Sequence, residues 1–317
     1  MKVLVTGGAG FIGSHVCKLL LERGDDVICV DNFSDYYSPQ LKEDRVKQFE
    51  KYPTFKLYKV DMTNFEALKL IFEQHQIDAV CHLAAQAGVL PSITNPFIYQ
   101  KTNIVGTLNI FECSKLHKVP HVVSASSSSV YGKNTDFPSS EHHKVDQPIS
   151  LYAATKKSGE MIAHYYSHLF NIKTTVLRFF NVYGPWGRPD MMAWKFTNNI
   201  IKREPIEVYN YGDTWKDYTY VEDIANGVVK AIDHHFDFEI INLGNKTPEH
   251  LKRCIQIIEQ TVSQKAVINF HPLQPGDVVK SCADVSKAKQ LLDWEPTTKI
   301  DVGLPNFINW FREYNNV

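Results

Sequence analysis

Residues 2–33 read KVLVTGGAGFIGSHVCKLLLERGDDVICVDNF, and this stretch decides the fold. Lys2 to Thr6 is a short apolar run rich in β-branched residues, which predicts a buried parallel strand. It runs into Gly7, Gly8 and Gly10, with Gly13 one turn later. From Ser14 to Glu22 the apolar residues recur at helical spacing, and Gly24 is a stop signal. Val27 to Val30 predicts a second strand, ending on Asp31. Strand, glycine loop, helix, strand, acid is the order that a dinucleotide site requires. Gly7 allows the tight turn, Gly10 lets the backbone approach a pyrophosphate, and Gly13 lets helix pack close to strand. The amides at the helix N-terminus, around Phe11 and Ile12, then face the phosphates. Asp31 would accept hydrogen bonds from the adenosine ribose hydroxyls and repel a 2′-phosphate, so NAD is favoured over NADP. Asn32 stands beside it at the same strand end.

Working outward, the chain has 317 residues, enough for one large α/β unit and a smaller lobe. Its formal net charge of −1 leaves no basic footprint, which argues against a nucleic-acid partner. The six cysteines are scattered, mostly in apolar stretches, with no C-x-x-C pair. They read as reduced core residues of a cytoplasmic protein. The histidine pairs at 142–143 and 234–235 have no partners at ligand spacing, so no metal site is expected. No signal-peptide pattern or apolar run of membrane length is visible, so no membrane partner is expected.

Beyond Asp31, Phe55 to Val60 predicts a third strand, which leads into Asp61 and Met62 at the adenine edge. Phe65 to His75 predicts a helix and Ala79 to Leu83 a fourth strand. HLAAQAG then brings Leu83, Ala84 and Ala85 to where a pyrophosphate and nicotinamide should lie. A long helix from about Tyr99 to Leu116 carries Asn103, also assigned to the cofactor, and leads to a strand at His121 to Ala125. Alternation of this kind demands a right-handed, doubly wound parallel sheet. After Thr174 to Phe179 the texture changes at Asn181. The expected division is an NAD-binding domain over 1–180, with segments near 219–246 returning to it, and a substrate lobe over 181–317.

The strand end SSSSVYG is followed by the amphipathic stretch LYAATKKSGEMIAHYYSHLF. Tyr152 and Lys156 stand four apart and share one helix face. A tyrosine with an ordinary pKa near ~10 is a poor base at neutral pH. A lysine one turn away, beside a cationic nicotinamide, would pull that pKa down. Ser127, at the mouth of the preceding strand, is the expected third member.

TGGAGFIGSH, SSSSVYG, LYAATK, RFFNVYGP, YTYVEDIANGV, NLGN and PGDV with ADVSKAKQLLDWEP resemble the extended short-chain dehydrogenase/reductase family, in particular its nucleotide-sugar epimerases and dehydratases. The resemblance spans essentially the whole chain. DNFSDYYSPQLKEDR, AAQAGV, YGPWGRPDM and KFTNNIIKREPIEVYNYG resemble the UDP-glucuronate 4-epimerases among them. The resemblance implies that Tyr152 takes the proton from the sugar O4, that Ser127 relays or steadies it, and that Lys156 holds the nicotinamide ribose. It also implies transient oxidation of C4 by bound NAD, turnover of the 4-keto sugar in the site, and return of the hydride to the other face. Related dehydratases and decarboxylases resemble T-D-E and T-S-E at the strand end. Here Ser127, Ser128 and Ser129 offer no carboxylate, which disfavours elimination. Serine hydroxyls on a rigid strand end suit a sugar carboxylate and would keep the β-keto acid intermediate from losing carbon dioxide.

Three departures bear on the substrate. Leu90 stands where such epimerases carry arginine, Asn181 where they carry threonine, and Lys216 where the family has arginine at the UDP phosphates. Asn181 is what UDP-glucose 4-epimerases show. Ser128, Ser129 and Asn181 are expected around the C5 substituent, Arg188 on the nucleotide side, and Lys216 and Asp277 also at the UDP-sugar. UDP-glucuronate is the expected UDP-sugar, with leakage to neutral sugars. UDP-glucose or UDP-N-acetylglucosamine epimerisation, dehydration or decarboxylation, and a non-catalytic nucleotide sensor are the other readings. The resemblance further implies a homodimer, through the helices around 99–116 and 151–169.

Overall fold

The computed structural model of the protein describes residues 1–134 and 136–317. Its centre is a sheet of seven strands, all paired in parallel. The strands are β1 (Lys2–Thr6), β2 (Asp26–Asp31), β3 (Phe55–Lys59), β4 (Ala79–His82), β5 (His121–Ser127), β6 (Lys173–Phe179) and an edge strand, Phe238–Leu243. Across the sheet the edge strand lies beside β6, followed by β5, β4, β1, β2 and β3. The order therefore reverses between β1 and β4, and a crevice opens at their carboxyl ends.

The apolar runs are buried on both faces, as a parallel sheet requires. Val3 and Val5 of β1 face one core with Leu20 of helix α1 (Phe11–Arg23) and Val228 of the helix Val221–Asp233. Leu4, between them, faces the opposite core with Phe72, Phe111 and Tyr166. A third core gathers Phe196, Ile258, Leu304 and Phe307 outside the sheet. It is built mainly from the helices Met192–Lys202, Leu251–Val262 and Ile300–Asn315. The helix Val221–Asp233 packs against α1, and Phe238–Leu243 pairs with β6, so this part of the chain returns to the large sheet.

The helix expected over 99–116 is not uniform. Residues Gln100–Val105 form a π-helical turn before the regular helix Gly106–Leu116. Such turns insert one extra residue and redirect the side chains that follow. Helix α2 (Pro39–Lys47) covers the connection after β2.

Candidate active site

The glycine loop has no room for side chains. A Cβ at Gly7 would lie 2.8 Å from the Ala84 nitrogen, and one at Gly13 would lie 2.1 Å from the Gly7 carbonyl oxygen. Gly7 also takes φ +72°, which favours glycine. The loop, the start of α1 and Asp31 open onto one cleft of about 540 Å³. Gly10, Phe11, Ile12, Gly13, Asn32, Asp61, Met62, Leu83, Ala84 and Ala85 line it too. Burial raises the Asp31 carboxyl, against the pull of Lys42 and two backbone donors. Those donors are the amides of Phe33 at 2.9 Å and Ala9 at 3.2 Å. Asp61 accepts from Asn32 Nδ2 at 3.0 Å, so these two side chains brace one another beside the adenine end. A backbone cradle that excludes a Cβ at Gly7, Gly10 and Gly13, followed by an acid, fits a dinucleotide.

Asn103, also expected at the cofactor, lies behind the loop that follows β4. It is buried and does not line the cleft. Its Oδ1 accepts from the Gln86 amide at 2.7 Å, while its Nδ2 donates to the Gln86 carbonyl at 2.9 Å and to Thr155 Oγ1 at 3.0 Å. The π-helical turn aims the amide at the strand-end loop, where the Gln86 backbone and Thr155 engage both of its ends. Asn103 therefore shapes the loop that faces the cleft.

Further along the same cleft stand Ser127, Tyr152 and Lys156. Tyr152 and Lys156 project from the helix Leu151–Phe170, which Ser150 caps by accepting from the Ala153 amide. Lys156 Nζ donates to the Ala125 carbonyl at 3.0 Å, and burial brings its pKa down to about 8. The expected lowering of the Tyr152 phenol rests on Lys156 together with a cationic nicotinamide; the chain's own groups leave the phenol raised. Burial pushes Tyr152 up, and only the nearby Ser127 hydroxyl and the Arg188 charge draw it back. Spacing showed that the two side chains share a face; it did not show how deeply the phenol is buried.

Ser128 begins a short 3₁₀ turn, Ser128–Tyr131, which places Ser128 and Ser129 on the cleft wall beyond Ser127. Ser127 Oγ donates to Ser129 Oγ at 3.2 Å and accepts from the Ser129 amide at 3.2 Å. Asn181 lines the facing wall, its backbone amide donating to the Asp217 carbonyl at 3.1 Å. Lys216 and Asp277 also line the cleft and pair with each other at 2.8 Å; Lys216 Nζ donates to the Val278 carbonyl as well.

Arg188, expected on the nucleotide side, lines the cleft, and its charge acts on Tyr152 and Tyr99. It forms a fork with Asp190, Nε to Oδ1 at 3.0 Å and Nη2 to Oδ2 at 2.5 Å. Its guanidinium also lies 5.5 Å from the Tyr36 ring centroid. Burial works against the Asp190 carboxylate, but the Arg188 charge and hydrogen bonds outweigh it and hold that group below its usual range. Asp190, Tyr36 and Lys42 were not singled out in the sequence. A carboxylate two residues after Arg188 was the available signal for the first of them.

No group of three or more metal-ligating side chains stands together among the described residues. Among them, too, no helix is long and apolar enough to cross a membrane.

Comparison with known proteins agrees with this geometry. Residues 4–307 match the sequence family described as GDP-mannose 4,6 dehydratase. The UDP-glucuronate 4-epimerase of Thermodesulfobacterium geofontis is 45% identical over 314 residues, covering 98% of this chain and 96% of that protein. The UDP-glucuronic acid 4-epimerase of Bacillus cereus, solved with UDP-glucuronic acid and NAD, superposes with a TM-score of 0.94 at 34% identity, covering 99% of this chain and all of that one. The UDP-glucose 4-epimerase of Thermotoga maritima, solved with UDP-glucose, gives 0.90 at 33% identity, with 99% and 100% covered. By these matches the chain belongs to the NAD-dependent nucleotide-sugar epimerase and dehydratase family.

Proposed function

We propose that the protein interconverts UDP-glucuronate and UDP-galacturonate by epimerisation at C4. The observation that carries this reading is the composition of one cleft. It joins a dinucleotide cradle to Tyr152, Lys156 and three consecutive serines, with no carboxylate at the strand end where elimination would need an acid. The only carboxylate beside Arg188 at that end among the described residues, Asp190, is engaged by its guanidinium. When bound, NAD accepts the C4 hydride and returns it to the opposite face, and its cationic ring favours the neighbouring phenolate. Tyr152 takes the proton from O4 and gives it back after the sugar has turned. Ser127 steadies the oxygen during that exchange. Lys156, held by the Ala125 carbonyl, orients the nicotinamide ribose. Ser128, Ser129 and Asn181 hold the C5 carboxylate, and Arg188 adds charge from the facing wall. Fixing that carboxylate keeps its C–C bond out of line with the C4 carbonyl and suppresses loss of carbon dioxide. Lys216 and Asp277 bind the UDP end.

Proton NMR of the protein with UDP-glucuronate, UDP-glucose and UDP-N-acetylglucosamine tests the substrate. Conversion of UDP-glucuronate to UDP-galacturonate ahead of the neutral sugars is expected. Asn181 offers the carboxylate an amide where such epimerases carry a threonine hydroxyl, so slower conversion of neutral hexoses is expected as well. Faster conversion of a neutral hexose would transfer the assignment to it, and silence on every sugar with NAD bound would favour a sensor.

The same reading includes a homodimer in the cytoplasm, supplying activated galacturonate for polysaccharide synthesis. The helices Gly106–Leu116 and Leu151–Phe170 present Leu108, Leu116, Met161, Tyr165 and Leu169 to solvent. A patch of that size on paired helices suits an isologous seam. Light scattering at micromolar concentration should give twice the 36.3 kDa chain mass. Five of the six cysteines are buried and unpaired, which suits a reducing compartment.

A further inference from the structure

The loop 184–190 carries Arg188 into the cleft, and its backbone is not relaxed. Trp186 sits at φ +60°, a left-handed conformation unfavourable for a bulky residue. The loop is held from outside itself. The Pro185 carbonyl accepts from His15 Nε2 at 2.9 Å. The Trp186 carbonyl accepts from Arg45 Nε at 3.1 Å and Nη2 at 2.6 Å, and the Gly187 carbonyl from Nη2 at 3.3 Å. The same Arg45, in the last turn of α2, donates through Nη1 to the Ala9 carbonyl at 3.1 Å and to the Tyr37 hydroxyl at 2.7 Å.

Arg45 is completely buried, and its hydrogen-bond partners are three backbone carbonyls and one phenol. A guanidinium hydrogen-bonded only to neutral groups is costly to bury, and the charge of Asp31 offsets part of that cost. Burial accordingly pulls Arg45 below its ordinary pKa. What the fork provides is reach in several directions at once, which a lysine lacks. One end of it holds the glycine loop at Ala9, the other the backbone next to Arg188, and Tyr37 closes it from the connection after β2.

We propose that Arg45 is a positioning residue. By holding the glycine loop and the Trp186–Gly187 backbone in a single grip, it sets where Arg188 meets the sugar. It thereby governs how the C5 carboxylate and C4 are presented to Tyr152. The proposal rests on the epimerase reading above.

Arg45→Lys keeps the charge and removes the fork. It should leave UDP affinity within about three-fold of the parent and weaken NAD binding through the Ala9 contact, while kcat on UDP-glucuronate at saturating NAD falls about ten-fold or more. The fraction of product appearing as decarboxylated UDP-pentose, formed when the 4-keto acid loses carbon dioxide and C4 then takes the hydride back from bound NADH, should rise several-fold, an outcome that mere destabilisation would not produce. Arg23→Ala, which breaks a surface pair with Asp25 and Asp233, is the control for lost stability and should change neither kcat nor the product ratio. Parent values of both in Arg45→Lys, with only a lower Tm, would overturn the proposal. If that variant does not fold, Tyr37→Phe removes one partner of the fork and should shift the product ratio the same way to a smaller extent; an unchanged ratio overturns it. Failure of the epimerase reading shows separately, as a parent that does not convert UDP-glucuronate. The kcat on whichever UDP-hexose it does convert then decides for Arg45, by the same ten-fold criterion.

Discussion

On one wall of the cleft, Ser127, Tyr152 and Lys156 stand in front of a buried ion pair. Arg178 donates to Glu160 through Nε at 2.8 Å and Nη2 at 2.9 Å, with both side chains almost entirely buried. Ser126 donates to the same carboxylate at 2.7 Å, and Arg178 donates to the Tyr131 hydroxyl at 3.2 Å. On the opposite wall, Arg188 rides on a loop held by Arg45 and His15 through backbone carbonyls. The first wall pairs charge with charge and joins β5, β6 and the helix Leu151–Phe170. The second supports its charged residue through backbone carbonyls and joins two loops to α1 and α2. A charge-paired support is costly to lose because its partner is left buried and alone. A support made through neutral carbonyls leaves no unpaired counter-charge in the core when it is removed, so its loss weighs more on the loop's geometry than on folding.

The most drastic way to probe the first wall is at its reacting group. Tyr152→Phe should lower kcat by about three orders of magnitude or more while NAD remains bound. Near-normal turnover would remove Tyr152 from the reaction. Behind it, Glu160→Ala should cost about 3–5 kcal/mol of unfolding free energy, since Arg178 loses its counter-charge in the core. Denaturant unfolding measures this. A loss as small as that of a surface substitution would dissolve the contrast between the walls.

Acid distinguishes them further. Burial lowers His15 to about 4, His82 to about 3 and His121 to about 4. Each is below the unfolded value near ~6.5, so the unfolded chain binds more protons and stability falls as pH drops from about 6.5 towards 4. His15 supports the Arg188 loop, whereas His82 is bonded between Thr6 and Thr107 beneath the sheet end. His15→Gln keeps a donor for Pro185 without titrating. It should flatten part of the Tm-against-pH curve, and a curve identical to the parent's would show that the loop does not contribute. The smallest effect is expected at the edge between the walls. Asn181→Thr should raise the preference for UDP-glucuronate over UDP-glucose by about two- to ten-fold, one hydrogen bond's worth. Loss of UDP-glucuronate turnover, with neutral sugars well processed by the parent, would contradict the carboxylate reading.

The sheet was legible because its strands are buried on both faces and therefore read as continuous apolar runs, each followed by a helical period. The glycine loop was legible because close backbone approach excludes a side chain at Gly7, Gly10 and Gly13, and Asp31 because an acid closes the second strand. The partners of Asn103 were not legible, because a polar residue in a helical pattern does not reveal its direction, and the π-helical turn faces it to Gln86 and Thr155. The upward displacement of Tyr152 was hidden because spacing reports proximity and not burial. Arg45 was hidden more thoroughly. Its segment, PQLKEDRVK, reads as a charged surface helix, yet the last arginine points inward to three carbonyls that lie up to 142 residues away in sequence. Glu160 was in view, four residues after Lys156 on the same helix face, but only the fold brings Arg178 against it.

The account turns on oxidation and reduction at a single carbon, with NAD retained and the hydride returned to the atom it left. UDP-glucuronate carrying deuterium at C4, followed by NMR in ordinary water, tests this directly. UDP-galacturonate with deuterium still at C4, and no exchange with solvent, is the predicted result. Galacturonate formed with the label washed out, or an intact labelled substrate alongside turnover of a neutral UDP-hexose, would contradict it.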